Sequence, residues 1–234
     1  MRGLLPEGIT ACLFDLDGVL TETAKIHAKA WKRTFDEELQ RREGDEFEPF
    51  DSGDDYERFV DGKPRYDGVR SFMSSRGYEL GDDEVHRIGD AKNKLVLELM
   101  REDGVDAYPG SIRFVRAAGQ AGLHRAVVSS SANCHQVLEA AGIENLFEAR
   151  IDGVTIEREG LAGKPAPDSY LAGARALGVD PGHAAVFEDA LAGVEAGRAG
   201  GFGYVVGVNR ADHGEALREH GADVVVDDLG DLLA

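Results

Sequence analysis

The stretch ACLFDLDG, residues 11–18, places two aspartates directly after a short apolar run. We predict that residues 11–14 form a buried strand and that a polar loop begins at Asp15. Asp15 and Asp17 are alternate residues, so their side chains would face opposite sides of a straight strand. Both can reach one ligand only if the chain leaves the strand at residues 16–18, and Gly18 is suited to that turn.

Strand and helix patterns alternate along the chain after residue 105. Further strands are predicted at residues 125–129, 184–187, 204–208 and 223–226, and helices at 111–120, 133–141, 168–178 and 190–199. Asp168 is expected to cap the helix that ends at Gly178. The alternation predicts an α/β fold in which helices cover both faces of a parallel sheet.

Residues 23–105 carry almost no strand signal and are predicted to form an all-helical insertion after the first strand. Helices are expected at residues 23–39, 69–75 and 83–101, with a loop at 44–62. The insertion contains Trp31 and several phenylalanines, which suffice for a small hydrophobic core. The predicted division is a core domain of residues 1–22 and 106–234 and a cap domain of residues 23–105.

The charge of the chain argues against several classes of partner. The 234 residues include 26 lysines and arginines and 44 acids, which gives a formal net charge of −18. Residues 36–61 hold twelve of the acids and three of the bases, so half of the imbalance is local. Nucleic acids and anionic membranes are bound by basic surfaces, so we expect neither as a partner.

The sequence also lacks the signals of an exported or membrane protein. No apolar run approaches the roughly 18 residues that a membrane helix needs, and residues 1–14 lack the apolar core of a signal peptide. Cys12 and Cys134 can form neither a disulfide framework nor a four-ligand zinc site. A reducing, cytoplasmic location is therefore expected.

Polar side chains follow three of the predicted strands, and a lysine lies in the segment between two of them. Ligands of parallel α/β sheets bind at the carboxyl ends of the strands, so we expect these groups at one rim. They are Asp15 and Asp17, Ser129, Lys164, and Glu188 with Asp189. Carboxylates at this rim can hold Mg²⁺ together with a substrate phosphate, and Ser129 with the following amides suits a phosphate. A carboxylate can also act as a nucleophile, with a second carboxyl as general acid and base.

Each of these motifs taken singly also has a purely structural interpretation. The triplet Asp-Gly-Val begins at residues 17, 67, 103 and 152, and only the first follows an apolar strand. Glu188 and Asp189 could be acids favoured by the start of a helix, and Ser129 could belong to an ordinary turn. The functional interpretation rests on finding all of these groups, in order, at strand ends.

The order and spacing of these residues resemble the haloacid dehalogenase superfamily over essentially the whole chain. Residues 14–21, FDLDGVLT, are similar to its first motif, and Ser129, Lys164 and the pair Glu188-Asp189 are similar to the second, third and fourth. The resemblance implies a Rossmann-like core and magnesium-dependent phosphoryl transfer through an aspartyl-phosphate.

The same resemblance implies a role for each motif residue. Asp15 would be the nucleophile and a metal ligand. Asp17 would be the general acid and base, and its backbone carbonyl would also bind the metal. Ser129 and Lys164 would hold the phosphoryl group. The metal ligands would be Asp15, Asp17, Glu188 and Asp189.

The inserted helices resemble the helical cap of the β-phosphoglucomutase subgroup. That subgroup interconverts β-glucose 1-phosphate and glucose 6-phosphate through a bisphosphate. The implied substrate contacts are His27, Trp31, Gly62, Lys63, Arg65, Lys92, Asn93, Ser131 and Asn133. Two residues depart from the pattern: Ala132 replaces a lysine and Glu22 replaces an aspartate. Without the resemblance, His27 and Trp31 could be a packing pair and Lys92 an ordinary helix lysine.

Alternative functions keep part of this site. A sugar-phosphate phosphatase would admit water in place of the sugar hydroxyl, and Ala132 favours that reading. A phospho-receiver module would need neither Asp17 nor a cap. A dinucleotide-binding oxidoreductase is less well supported, because residues 201–203, GFG, lack a third glycine. The expected partner is a phosphorylated sugar, and the chain is expected to be a monomer.

Overall fold

The computed structural model describes residues 4–210 and 212–233 and contains one parallel sheet. Its strands are β1 Ala11–Phe14, β2 His124–Val128, β3 Ala149–Ile151, β4 Ala184–Glu188, β5 Tyr204–Val208 and β6 Val224–Val226. The strand order is β3-β2-β1-β4-β5-β6, and every neighbouring pair is parallel. The order reverses between β1 and β4, where parallel α/β sheets form their ligand crevice. The predicted parallel α/β fold is confirmed.

Helices cover both faces of this sheet, as predicted. They are α4 Pro109–Gln120, α5 Cys134–Ala140, α6 Gly153–Glu159, α7 Asp168–Leu177, α8 Leu191–Ala199 and α9 Gly214–Glu219. On β1, Phe14 packs with Phe114 and Phe187 on one face, and Leu13 packs with Tyr170 on the other. Because both faces of β1 are buried, its four residues have no polar member and Asp15 is the first polar residue behind them.

Between β1 and β2 the chain forms helices α1 Ala24–Glu43, α2 Arg65–Ser75 and α3 Asp82–Asp103. These helices have an aromatic core in which Phe35 stacks on Trp31, with 4.9 Å between the ring centroids. Phe72 lies 4.2 Å from Phe35, measured between the same points. Within the described residues of this insertion the structure contains no strand. The isolated bridges from Thr21 to Asp17 and to Ala107 lie just outside it.

The expected loop at residues 44–62 is more ordered than predicted. It contains a 3-10 turn, Gly44–Glu46, and a π-helical turn, Tyr56–Val60. Phe50 anchors it, because this ring is buried between Phe35 and Phe72, at centroid distances of 5.2 and 4.9 Å. The segment was predicted to be a loop because it is acidic, and this one apolar anchor was not recognised in its sequence.

Two other elements were missed, and one predicted helix cap was wrong. Strand β3 and helix α6 were not predicted, because β3 has only three residues and Arg150 interrupts its apolar pattern. Asp168 does not cap α7: it is the first helical residue, and Pro167 occupies the cap position without a side-chain hydrogen bond.

In residues 4–210 and 212–233, no helix is both long enough and apolar enough to cross a membrane. Residues 1–3, 211 and 234 of the expected core domain lie outside the described residues.

Candidate active site

The loop behind β1 turns back on itself immediately after Asp17. Gly18 has a φ of +82°, and a Cβ atom there would collide with the carboxylate of Asp189. The backbone N–H of Gly18 donates to the carbonyl of Thr21 at 2.8 Å, which closes the turn. Only glycine meets both requirements, since it tolerates positive φ and has no side chain. This turn brings Asp15 and Asp17 to the wall of one cavity.

A buried lysine links two of the rim carboxylates. The Lys164 Nζ atom lies 2.5 Å from Asp15 Oδ1 and 2.6 Å from Glu188 Oε1. Burial raises the pKa of Asp15 well above its ordinary value, and Lys164 only partly opposes this. Burial also raises the pKa of Asp189, with a further contribution from Asp61. The rim therefore gathers three carboxyl groups around the ammonium of Lys164, and burial disfavours the charged forms of Asp15 and Asp189.

The rim offers oxygen ligands for a hard cation. Carboxylate oxygens of Asp15, Glu188 and Asp189 lie within 4.8 Å of one another, and all three residues are buried. Glu188 is already engaged, because Oε1 accepts from Lys164 and Tyr170 while Oε2 accepts from the backbone N–H of Ala190 at 2.9 Å. The donor set fits a divalent cation held by Asp15 and Asp189, with Glu188 holding Lys164 in place.

Asp17 faces a chain of polar groups from the cap. Thr23 donates a hydrogen bond to its Oδ1, and His27 Nε2 lies 3.7 Å from the same atom. His27 Nδ1 lies 2.9 Å from Lys92 Nζ. Burial, reinforced by Lys92, lowers the pKa of His27 to about 4, and burial lowers the pKa of Lys92 to about 7. A neutral His27 that accepts from the Lys92 ammonium carries its proton on Nε2, towards Asp17.

The loop after β2 is held by its own hydroxyl groups and by the cap. Ser129 is buried, and its Oγ accepts from the backbone N–H of Ser131 at 3.1 Å. Ser131 Oγ in turn accepts from the N–H of Asn133 at 3.2 Å. The Asn133 side chain donates to Asn93 of α3 at 2.8 Å, so a core loop and a cap helix meet here. This chain of contacts spans the two halves of the site.

A cavity of about 400 Å³ lies between the cap and the rim of the sheet. Most of the predicted site residues form its wall: Asp15, Asp17, His27, Trp31, Gly62, Lys63, Arg65, Lys92, Asn93, Ser129, Ser131, Asn133 and Asp189. Lys164 and Glu188 lie behind the wall, fully buried. Trp31 fits both the interpretation as a substrate contact and the interpretation as a packing residue, because it lines the cavity and also stacks in the cap core. The Lys63 ammonium binds Ser71 and the carbonyl of Arg58, so its charge is directed to the cap itself.

Tyr56 and Asp61 are among the residues of the cavity wall that sequence reasoning did not include in the site. Burial raises the pKa of Asp61 to about 7, with Glu188 adding to the effect and a hydrogen bond from Tyr56 opposing it. Asp61 was assigned to the solvated acidic loop, although it directly precedes Gly62, one of the predicted contacts. The available signal was its place in residues 60–67, VDGKPRYD, a stretch similar to the substrate-specificity loop of the β-phosphoglucomutase subgroup.

The sequence pattern of the haloacid dehalogenase-like hydrolase family matches residues 9–201. The chain belongs to this family. In an alignment of 244 residues, gaps included, it is 53% identical to the β-phosphoglucomutase of Mycobacterium bovis. The alignment covers 98% of this chain and 93% of that protein. The resemblance to the family and to its β-phosphoglucomutase subgroup is thereby confirmed.

Two solved structures of the family are similar along nearly the full chain. The β-phosphoglucomutase of Clostridium difficile has a TM-score of 0.80 at 26% identity and covers 96% of this chain and 93% of its own. CbbY of Rhodobacter sphaeroides, solved as a mutant with xylulose 1,5-bisphosphate, has a TM-score of 0.75 at 25% identity, covering 95% and 96%. The haloacid dehalogenase fold and its helical cap are therefore shared.

Proposed function

We propose that this chain is a β-phosphoglucomutase, a phosphomutase that interconverts β-glucose 1-phosphate and glucose 6-phosphate. The observation that carries the proposal is the near full-length likeness to the mycobacterial β-phosphoglucomutase. A cavity between cap and core that presents both Asp15 and Asp17 supports it. The proposed cap is residues 23–105, and the proposed core is residues 1–22 and 106–234.

Asp15 is the nucleophile of this proposal. Its carboxylate oxygen attacks the phosphorus of a bound bisphosphate, and the bond from that phosphorus to the sugar oxygen breaks. Asp17 gives its proton to the departing oxygen, so the products are a sugar monophosphate and an aspartyl-phosphate. Thr23 and His27, both directed at Asp17, hold its carboxyl group in position.

The second half of the cycle reverses these steps with the other end of the sugar. The free hydroxyl of β-glucose 1-phosphate attacks the phosphorus of phospho-Asp15, the bond from that phosphorus to the Asp15 oxygen breaks, and Asp17 takes the hydroxyl proton. The resulting β-glucose 1,6-bisphosphate turns end for end and returns its other phosphoryl group to Asp15. Ser129 and Lys164 hold the transferring group, since a hydroxyl donor and a buried ammonium both stabilise its negative charge.

The phosphate that is not reacting is held where the cap meets the loop after β2. Arg65 and Lys92 supply positive charge there, and Ser131 and Asn133 supply hydrogen bonds. A phosphate beside Lys92 favours its charged form, which burial otherwise disfavours. The guanidinium of Arg65 can bind a phosphate through two parallel hydrogen bonds.

Mg²⁺ is the proposed cofactor, held by Asp15, Asp189 and the backbone carbonyl of Asp17. When bound, it neutralises charge on the transferring phosphoryl group. We expect magnesium to raise the melting temperature of the protein, because it binds only the folded chain. An Asp189→Asn variant should lose most of that increase, which thermal denaturation with and without magnesium would measure. An equal increase in both proteins would contradict this metal site.

The activity is tested with purified protein, magnesium, β-glucose 1-phosphate and a trace of β-glucose 1,6-bisphosphate. Phosphorus NMR follows the products, with the α-anomer in parallel. Glucose 6-phosphate from the β-anomer alone is the expected result. Conversion of neither anomer would refute the assignment of the sugar.

A sugar-phosphate phosphatase is the second candidate. Ala132 in the cavity wall favours it, because the phosphate of a sugar acceptor has one cation fewer there than in the mutases that carry a lysine at this position. Inorganic phosphate as the main product in the same NMR experiment would establish this activity and contradict the mutase.

A further inference from the structure

The turn that carries Asp17 is closed on one side by its own backbone. The carbonyl of Leu16 accepts from the backbone N–H groups of Leu20 and Thr21, at 2.9 and 3.0 Å. Gly18 lies at the bend, and glycine has a wider choice of backbone conformations than any other residue. The peptide group that follows Gly18 is therefore free to rotate unless its carbonyl is held as well.

An arginine from a distant part of the chain holds that carbonyl. Arg210 Nε donates to the carbonyl of Gly18 at 2.8 Å, and Arg210 Nη1 donates to the carbonyl of Asp227 at 2.8 Å. Asp227 directly follows β6, so one guanidinium links the turn to the edge of the sheet. The carboxylate of Asp228 lies 3.9 Å from Nη2, beyond hydrogen-bond distance, so these hydrogen bonds go to backbone carbonyls.

An aromatic ring fixes the plane of the guanidinium. The Cζ atom of Arg210 lies 3.6 Å from the centroid of the Tyr108 ring, which is a close cation–π contact. Tyr108 is itself tied to the turn, because its backbone N–H donates to the carbonyl of Leu20 at 2.9 Å. The Arg210 side chain is 19% exposed, so its hydrogen bonds are largely shielded from water. Stacking and burial together hold the guanidinium against Gly18.

The position of the Asp17 carboxyl group depends on this turn. Thr23 and His27 approach its Oδ1 from the side of the cap, whereas Arg210 acts from the core through the backbone of the next residue. We propose that Arg210 is a positioning residue, which fixes the turn at Gly18 and so keeps Asp17 aligned with the oxygen whose proton it exchanges. The proposal rests on the proposed function for the role of Asp17.

Two steps of phosphoryl transfer separate this role from a general structural one. When acetyl phosphate phosphorylates the enzyme, the Asp15 oxygen attacks the phosphorus, the bond from phosphorus to the acetate oxygen breaks, and acetate leaves without a proton. When water attacks phospho-Asp15, the bond from phosphorus to the Asp15 oxygen breaks, inorganic phosphate is released, and Asp17 takes a proton from the water. A displaced Asp17 therefore slows the second step and spares the first.

The test uses purified protein, saturating magnesium and radiolabelled acetyl phosphate, with samples quenched in acid. Labelled protein measures the formation of phospho-Asp15, and its decay after removal of acetyl phosphate measures the attack by water. In Arg210→Met we expect formation within about twofold of wild type and decay about tenfold slower, because misalignment of a catalytic group slows the step that uses it. Arg210→Lys keeps one donor for the Gly18 carbonyl and should recover part of the decay rate.

Arg125→Met is the matched control. The Arg125 side chain is 22% exposed, and it donates two hydrogen bonds to Glu148, at 3.3 and 2.8 Å. It lies near the start of β2, at the end of the sheet away from the site, so both rates should stay at the wild-type level. Asp17→Asn removes the base itself and should slow decay more than Arg210→Met does. Adding Arg210→Met to Asp17→Asn should slow decay no further, since Arg210 acts through Asp17.

Three results would overturn the proposal. Equal losses of formation and decay in Arg210→Met would assign Arg210 a general structural role. Wild-type decay in that variant, or a further slowing in the double variant, would show that Arg210 does not act through Asp17. A wild type that forms no labelled protein would refute the role of Asp15, and the proposal with it.

Neither measured step involves the sugar. If wild type forms phospho-Asp15 but no glucose 6-phosphate, the proposed function fails, while the two rates still decide the role of Arg210.

Discussion

Two clusters of charged side chains around buried carboxylates differ in the ratio of acids to bases. In the rim cluster, Asp15, Glu188 and Asp189 surround the single ammonium of Lys164. In the cap cluster, the single carboxylate of Glu38 receives hydrogen bonds from Arg41, Arg42 and Arg87 at 2.6 to 2.9 Å. The rim has too little positive charge for its acids, whereas the cap cluster has more than enough.

The pKa values follow this difference. Burial raises the pKa of Asp15 and of Asp189 well above their ordinary values, and the partners present do not reverse it. Burial also acts to raise the pKa of Glu38, but hydrogen bonds from its three arginines outweigh it and lower the pKa to about 2. An acid cluster that the fold leaves undercompensated is the one suited to bind a cation.

The largest effect is expected from Asp15→Asn in the rim cluster. An amide cannot form the aspartyl-phosphate, so mutase turnover should fall about 10⁴-fold or more. Phosphorus NMR of glucose 6-phosphate formation measures it. Asp45→Asn, an exposed change in the 3-10 turn that follows α1, is the control and should keep wild-type turnover. Appreciable turnover in Asp15→Asn would remove the rim cluster from the chemistry.

Lys164→Met should have the next largest effect, and this effect is on stability. The substitution leaves the carboxylates of Asp15 and Glu188 buried without their cation, so the free energy of unfolding should fall by about 3 kcal/mol. Urea denaturation measures this. Lys94→Met removes an exposed lysine, 4.0 Å from Glu98, and should stay within about 0.5 kcal/mol of wild type. Equal stabilities of the two variants would show that Lys164 does not hold the rim together.

The smallest effect is expected in the cap cluster. Glu38→Gln should lower the free energy of unfolding by about 1 kcal/mol, because two of its arginines are half-exposed. Mutase turnover should remain at the wild-type level. The neighbouring exposed change Glu37→Gln is the matched control.

The loss of unfolding free energy in Glu38→Gln should depend on pH in a defined direction. The folded pKa of Glu38, about 2, lies below the reference value of 4.5, so its stabilisation is present above about pH 4.5 and is lost as pH falls towards 2. The difference between wild type and Glu38→Gln should therefore be larger at pH 7 than at pH 3. A difference that grows in acid would contradict the balance described for this cluster.

The sequence predicted the core better than the cap, for a physical reason. Strands such as β4 are continuous apolar runs followed by Glu188 and Asp189, and this pattern is local. Strand β3 was missed because three residues with a central arginine carry too little signal. The turn at Tyr56–Val60 was missed because its order comes from contacts with distant parts of the chain.

The candidate site also has a part that the sequence predicted and a part that it did not. The motif residues that the sequence singled out lie together at the cavity or directly behind it. Asp61 also lines the cavity but was not among them, because it does not follow a strand. Arg210 and Gly18, which are 192 residues apart, meet only in the folded chain.

The sequence by itself determined most of the strands and helices, though not β3 or α6, and the groups that the rim would present. Those properties depend on apolar periodicity and on which residue follows each strand, and both can be read locally. Only the tertiary structure decided that Lys164 binds Asp15 and Glu188, that Lys63 points its charge to the cap, and that Arg210 reaches Gly18. Pairing and desolvation depend on which distant segments pack together, and no single stretch of sequence contains that information.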